Sequence, residues 1–588
     1  MSWDIVDKFN GYRNKSDKSK LPPGILVDGS KNVVFTDDDL ITTRKGYTIL
    51  GATSTATTQI EASTEWDTST GVQRALRAYD DELEVLIGTT WTRILDGWTA
   101  VDFQFTENNM YWDTDEDEDI LFFVNGDSNL YSWSGGLAVI ASTTSNTITK
   151  TGTATWGEAR FITDGSNYDK TVEIDGTTYT YTGGESTTTL TGVTPDPSGE
   201  TDGDNVIQSP TTHTNKPSTG LTNDIISCLN GQLYVGSLTS NLIYLSKVND
   251  FTNYTPTATR LVGEGTSFSL DAPAVGFQTQ ESVMYISAGK SQWYQIVFEL
   301  SSDNTAEEVQ IKRLKSGVDQ GALSQSAIGT IKNSIVFISN EPALNSLGRI
   351  ENVNTPELKN ISDPIKVDFD YYTWTNPHVK FYKNNLYVTV PDNDTLLVYN
   401  LERGFWEAPW VMPAGRLAII DDELVLHSNA APESYTLLDG YNDNANPIES
   451  IARFSYQNQG KRSIEKQFNE WYNEGYISAN TTLQRKFYFD YRGVGGTRTH
   501  EFEGTSKKVL SLPGPGGIGK SGLGKDNFAG SSDQDDLRKF RWIDEEAPQP
   551  YYEMLVEYSS NDIDQRWSLL AFGGDVSLAE TDNNSIKE

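Results

Sequence analysis

The amino-acid sequence predicts an all-β protein: a β-propeller that carries an inserted small β-domain and is followed by a C-terminal β-sandwich. Three observations lead to this. Helical periodicity is almost absent. Apolar and β-branched runs of four to seven residues, such as Leu83–Ile87, Ile120–Val124, Leu233–Val235, Ile335–Ile338 and Leu386–Val390, recur between Asn-Gly, Asp-Gly, Asp-Asp and Asn-Asn pairs. One turn-then-strand pattern, a polar pair leading into a hydrophobic strand, then repeats along the chain.

The repeat reads Tyr79-Asp-Asp-Glu-Leu-Glu-Val-Leu, Asp117-Glu-Asp-Ile-Leu-Phe-Phe-Val, Leu229-Asn-Gly-Gln-Leu-Tyr-Val-Gly, Gln280-Glu-Ser-Val-Met-Tyr-Ile-Ser, Ile331-Lys-Asn-Ser-Ile-Val-Phe-Ile-Ser, Tyr382-Lys-Asn-Asn-Leu-Tyr-Val-Thr and Ile420-Asp-Asp-Glu-Leu-Val-Leu-His. Gly, Asn and Asp suit these turns because they tolerate the positive φ of tight hairpins. From Leu233 through Met284 and Ile335 to Leu386 the step is about 50 residues, and elsewhere about 40, the spacing of four-stranded propeller blades. Each blade buries its faces only against its neighbours, so a ring of six or seven is expected. A series of β-sandwiches built from the same hairpins is the competing architecture.

The remaining organisation follows from breaks in this rhythm. Residues 1–60 lead into the ring, 61–141 form its first blades and 221–445 the remaining ones. Residues 142–220 turn to Thr, Gly and Ser and form the insertion, with a hairpin over Thr171–Thr182 about Asp175-Gly176 and a loop from Thr194 to Pro217. From 446 to 588 longer alternating strands, at Lys486–Tyr491, Tyr551–Tyr558 and Trp567–Ala571, predict the sandwich. The helices expected are a short one at the N-terminus and a turn around Ser463–Asn469.

Composition narrows the function. The chain has 588 residues, which predicts roughly three to five compact units. Its 14 Trp, 28 Tyr and 23 Phe provide core material despite an apolar fraction of 36%. Lys and Arg number 46 against 82 Asp and Glu, a formal charge of −36, which opposes a general nucleic-acid-binding surface. Cys228 stands alone, so no intrachain disulfide or multi-thiolate zinc site forms, and it reads as a small core residue. The first residues lack the basic-then-apolar order of a secretion signal, and no apolar run approaches about 18 residues, so a soluble chain without a membrane span is expected.

Several motifs suggest chemistry and fail on mechanism. Gly514-Pro-Gly-Gly-Ile-Gly-Lys520-Ser521 satisfies the phosphate-loop pattern, but the glycines that follow cannot open the helix whose amides hold phosphate. A flexible glycine loop is expected there, and Lys520→Ala would have to abolish ATP binding for a nucleotidase reading to stand. His213, His378, His427 and His500 have no partner at metal-ligand spacing. The acidic run Asp113–Asp119 lacks the loop glycine and terminal Glu of an EF-hand and reads as a solvated turn. No pair of carboxylates is singled out for glycosidase chemistry. The expectation is therefore no catalytic residue, no cofactor and no metal. Trp406 and Trp410, in Phe405-Trp-Glu-Ala-Pro-Trp, are candidate subunit-contact residues, with packing between blades as the alternative.

The stretch Leu21–Tyr47, with Asn32 and then Arg44-Lys-Gly46-Tyr47 after an acidic turn, resembles the opening of β-propeller tail proteins of tailed bacteriophages, the tail nozzle and stabilisation proteins of short-tailed phages. Further similarity lies in Phe122–Gly135, Ile243–Tyr254, Lys466–Ser478 and Ile518–Gly524. The Gly-rich C-terminal loop is also similar to loops in distal-tail components of long-tailed phages, so nozzle and hub both remain open.

The resemblance implies a structural virion protein, assembled in the host cytoplasm into a homo-oligomeric ring, a homohexamer. That ring extends or closes the DNA exit channel between a head-to-tail adaptor and tail fibres or a plug. A carboxylate-lined lumen would let double-stranded DNA pass without sticking, and solubility alone explains the charge equally well. The alternative from another class is a glycan-binding or glycan-cleaving propeller of the host-recognition apparatus.

Overall fold

The computed structural model describes residues 3–578 apart from the segments 52–57, 96–103, 106–111, 114–117, 214–221, 256–260, 301–306, 315–318, 349–357, 457–465, 490–496, 504–536 and 546–549 and scattered single residues or pairs. The glycine-rich segment with Lys520, Ser463, most of the acidic run and the His500 side chain lie outside the described residues.

Among the described residues seven antiparallel sheets stand around an axis and form a seven-bladed propeller. The innermost strands are Ala62–Asp67, Gln104–Phe105, Ile225–Leu229, Ala274–Gln280, Ile328–Ile331, Val379–Tyr382 and Leu417–Ile420. Each contacts the next, and Leu417–Ile420 returns against Ala62–Asp67, which closes the ring. In blades three to seven the repeated turn joins the first and second strands. Its conformation is the one its residues favour: Asn230, Lys383, Asn384, Asp421 and Asp422 all have positive φ. In blade one the same motif, with Asp80 at φ 50°, joins the second and third strands.

Blade two explains the gap in the repeat. Its strands Leu121–Val124 and Leu130–Trp133 are followed by a six-stranded sheet over residues 137–208, and its outer strand, Thr211–His213, comes only afterwards. The insertion has its own core, where Trp156 meets Phe161 edge-on at 4.5 Å beside Ile148, Val172 and Leu190. The Asp175-Gly176 hairpin forms with Val172 opposite Tyr179.

The C-terminal sandwich is two sheets. One orders Ser450–Arg453, Met554–Ser560, Thr482–Phe489 and Thr497–Glu503; in Thr482–Phe489 every second residue is buried, as a half-covered strand requires. The other orders Val33–Phe35, Ile41–Thr43, Trp567–Leu578, Lys466–Ser478 and Leu537–Glu545. Aromatic rings fill the space between, with Phe454 and Phe572 at 4.5 Å and Trp471 and Phe487 at 5.1 Å.

Three differences from expectation concern residues without local signals. The first sixty residues do more than lead into the ring. Trp3–Val6, Val33–Phe35 and Ile41–Thr43 are sandwich strands, and Tyr47–Ile49 is the outer strand of blade seven, paired with Tyr435–Leu437. The N-terminal helix is thus a strand, because four residues gain more from a ready sheet edge than from an isolated helical turn. Lys466–Asn469, expected in a helical turn, begin a 13-residue strand. The α-helix among the described residues, Lys366–Tyr371 between blades five and six, buries Phe369 under the N-terminal segment, whose Tyr12 hydroxyl donates to Asp368 at 2.9 Å.

The seam between blades seven and one sets a buried polar network beside an apolar cluster of Ala75, Trp91, Ala418, Ile420 and Val425. Arg77, buried, pairs with Glu84 at 2.6 Å, donates to the Ser434 hydroxyl at 3.0 Å and lies 4.3 Å from the Trp91 ring centre. Ser434 in turn meets His427 Nδ1 at 2.9 Å. Strand pairing and this buried network therefore close the ring together.

Candidate functional site

The residues that carry the sharpest sequence signal converge in space. Asn32 adopts a left-handed φ of 56°, which its short amide tolerates. Its Nδ2 donates to the Glu449 carbonyl at 2.8 Å, and its Oδ1 accepts from Val411 N–H at 2.8 Å and Arg44 Nε at 2.9 Å. Arg44 is fully buried. Its Nη1 donates to Asp443 Oδ1 at 2.7 Å and to the Lys45 carbonyl, while Nη2 reaches Asp443 Oδ2 and the Val411 carbonyl. The planar guanidinium suits this bidentate grip and lies 5.9 Å from the Trp410 ring centre.

Gly46 has no room for a side chain: a Cβ there would sit 1.9 Å from the Asn442 carbonyl oxygen. That close approach lets Tyr47 N–H donate to Asn442 at 3.1 Å and start the strand that closes blade seven. Asn32, Arg44, Gly46 and Tyr47 thus form one buried node joining the sandwich to blades six and seven.

Trp406 and Trp410, the candidate contact residues, belong to the same region and are buried within the chain. Trp406 is 0% exposed and Trp410 3%. Trp406 Nε1 donates to the Ile361 carbonyl at 2.8 Å, and the indole packs with Phe369 and Tyr399. Trp410 packs with Tyr387. Both indoles are core, as the packing alternative expects; an aromatic in a Pro-containing loop looks the same in sequence whether it points inward or outward.

Between them Glu407 is buried, and its Oε2 has no hydrogen-bond partner. Burial raises its pKa to about 8, with Arg403 opposing. The folded protein therefore keeps a proton that the unfolded chain releases, and stability falls as pH rises from about 4.5 to about 8. We expect Glu407→Gln to be more stable than the parent by about 3 kcal/mol near pH 7, with the difference vanishing below pH 4 in denaturant titrations.

The axis of the propeller holds the second feature. A cavity of about 490 Å3 opens where the inner strands begin, and every blade contributes to its wall. Glu61 comes from blade one, Phe105 from two, Ser227 from three, Gln278 and Thr279 from four, Gln325 from the loop before five, His378 from the entry to six and Arg416 from the entry to seven. Arg416 Nη2 lies 3.7 Å from Glu61 Oε2, and both side chains are largely shielded, at 12% and 25% exposure. Gln325 is locked by two bonds to Phe277, accepting from its N–H at 2.6 Å and donating to its carbonyl at 2.9 Å.

Leu417 N–H donates to His378 Nδ1 at 3.1 Å, which places the ring proton on Nε2. Burial, then Arg416 and Lys380, hold the His378 pKa well below its usual value, so the ring is a neutral donor.

The two other histidines with described side chains, His213 and His427, are buried inside blades. His213 meets the Ser132 hydroxyl at 2.7 Å inside blade two, and burial lowers its pKa to about 4; His427 lies in the blade-seven seam with its pKa lowered to about 3, chiefly by burial. Cys228 is buried in blade three. Asp175, Glu200 and Asp204, which sequence spacing does not group, bring carboxylate oxygens within 4.8 Å of one another at the surface of the insertion.

No protein-family model matches the sequence, and no curated protein matches it. Among solved structures, the N-terminal domain of BBS1 in complex with ARL6 is 11% identical, covering 69% of this chain and 98% of that one, with a TM-score of 0.32. AztD of Citrobacter koseri is 10% identical over 59% of this chain and 86% of that one, with a TM-score of 0.30. Glutaminyl cyclase of Myxococcus xanthus is 7% identical over 36% and 88%, at 0.20. At these distances none bears on activity. No helix among the described residues is long and apolar enough to cross a membrane.

Proposed function

We propose that the protein is a structural component of a bacteriophage tail, a nozzle or hub subunit that assembles into a homo-oligomeric ring around the DNA exit channel. The observation that carries this reading is the buried node: the stretch resembling phage tail propellers is the part that ties sandwich, blade six and blade seven into one body. A segment spent on mechanical closure suits a subunit whose task is to hold shape while DNA passes. A homohexamer contacting an adaptor on one side and fibres or a plug on the other follows from the same resemblance.

Subunit contacts in such a ring must use side chains that the fold leaves exposed. Among the described residues, Leu261, Val262 and Val248 on blade three, and Val367 and Tyr371 on the helix Lys366–Tyr371, meet that condition, with Tyr371 78% exposed. A ring needs two different patches that meet head to tail between neighbours. Sedimentation velocity and negative-stain electron microscopy of the full chain test the reading. A closed ring with an axial hole is the expected result, and a monomer at every concentration overturns it.

A further inference from the structure

We infer that the axial cavity of the propeller binds a neutral glycosyl unit, a pyranose whose neighbouring hydroxyls are read by Glu61 and Arg416. This inference does not rest on the tail assignment, since the cavity lies within one subunit.

The chemistry of the wall selects the ligand. Glu61 offers acceptors only and Arg416 donors only, and their heads stand 3.7 Å apart. A hydroxyl donates and accepts at once, so two adjacent hydroxyls on a sugar ring can give a proton to the carboxylate and take one from the guanidinium. The low exposure of both side chains strengthens such charge-assisted bonds relative to water. His378 adds a neutral donor of fixed tautomer, and Ser227 and Thr279 add hydroxyls from the facing blades.

The charge balance disfavours an anion. One carboxylate and one guanidinium leave this pair neutral, and the formal −36 of the chain opposes an anion. The volume falls in the range of cavities that enclose small organic ligands, about 300–1,000 Å3. Gln325, pinned to Phe277, keeps the blade-five side of the wall in place before any ligand arrives.

The test is saturation-transfer NMR on the full chain with the methyl glycosides of glucose, galactose and mannose. At least one should bind with a dissociation constant on the order of 1 mM. Glu61→Gln should weaken that binding about tenfold or more, as the loss of a charged acceptor requires. Leu238→Trp, at the exposed rim of the cavity, should block entry while the unfolding transition stays in place. The inference is overturned if none of the three glycosides binds, if both variants bind like the parent, or if glucuronate binds as tightly as the neutral glycosides.

Discussion

Deleting residues 1–49 is expected to leave no soluble, cooperatively folded protein. The deletion removes Trp3–Val6, Val33–Phe35 and Ile41–Thr43 from one sheet of the sandwich and the outer strand Tyr47–Ile49 from blade seven. Strand Ser434–Leu437 then becomes an open edge, and unpaired backbone groups at such an edge recruit other chains. The sandwich loses its cover at the same time, since Phe9, Leu26, Val33 and Ile41 belong to the core that holds Trp471 and Phe572. Size-exclusion chromatography of the truncated chain beside the parent reads the outcome. A monodisperse truncated species with the parent unfolding midpoint would show that these strands are accessory.

Arg44→Ala carries the largest effect of any single substitution considered, about 3–5 kcal/mol of destabilisation. The change removes the cation that Asp443 faces and leaves that carboxylate, only 14% exposed, without its charge partner. Asn32 Oδ1 loses one of its two donors, and the Val411 carbonyl loses Nη2. Arg44→Lys should restore only part of the loss, because an ammonium cannot hold both Asp443 oxygens and Asn32 together. Denaturant titration of the three proteins checks the order. Equal midpoints for Arg44→Ala and the parent would remove the node from the account of stability.

The propeller was readable from sequence because its signal is local. Each tight turn needs residues that accept positive φ, and Asn230-Gly231, Lys383-Asn384 and Asp421-Asp422 announce theirs a few residues before the strand they start. The periodic step then supplied the ring. Blade two resisted this reading because Thr211–His213 looks like the end of a Thr-rich linker, and nothing nearby says that it pairs with Leu130–Ser132 across the whole insertion. The N-terminal strands resisted it more strongly, since three- and four-residue strands are defined by distant partners and not by their own pattern.

The node and the cavity differ in the same way. Arg44 and Gly46 stand two residues apart and carried a motif, although its purpose became visible only when Asp443 and Asn442 came into place beside them. The cavity has no motif. Its wall takes one to four residues from each of seven blades, and Glu61 and Arg416 meet only because the last blade returns to the first. Trp406 and Trp410 mark the opposite limit, conspicuous in sequence and buried in the fold.

The pairing of the two ends has a consequence during synthesis. Thr42 hydrogen-bonds to Trp567, 525 residues further on. At ordinary translation speeds the early strands wait roughly half a minute to two minutes for those partners to emerge. During that interval Val33, Phe35 and Ile41 have no complete sheet to enter, so their apolar side chains stay uncovered until the strand around Trp567 has been made.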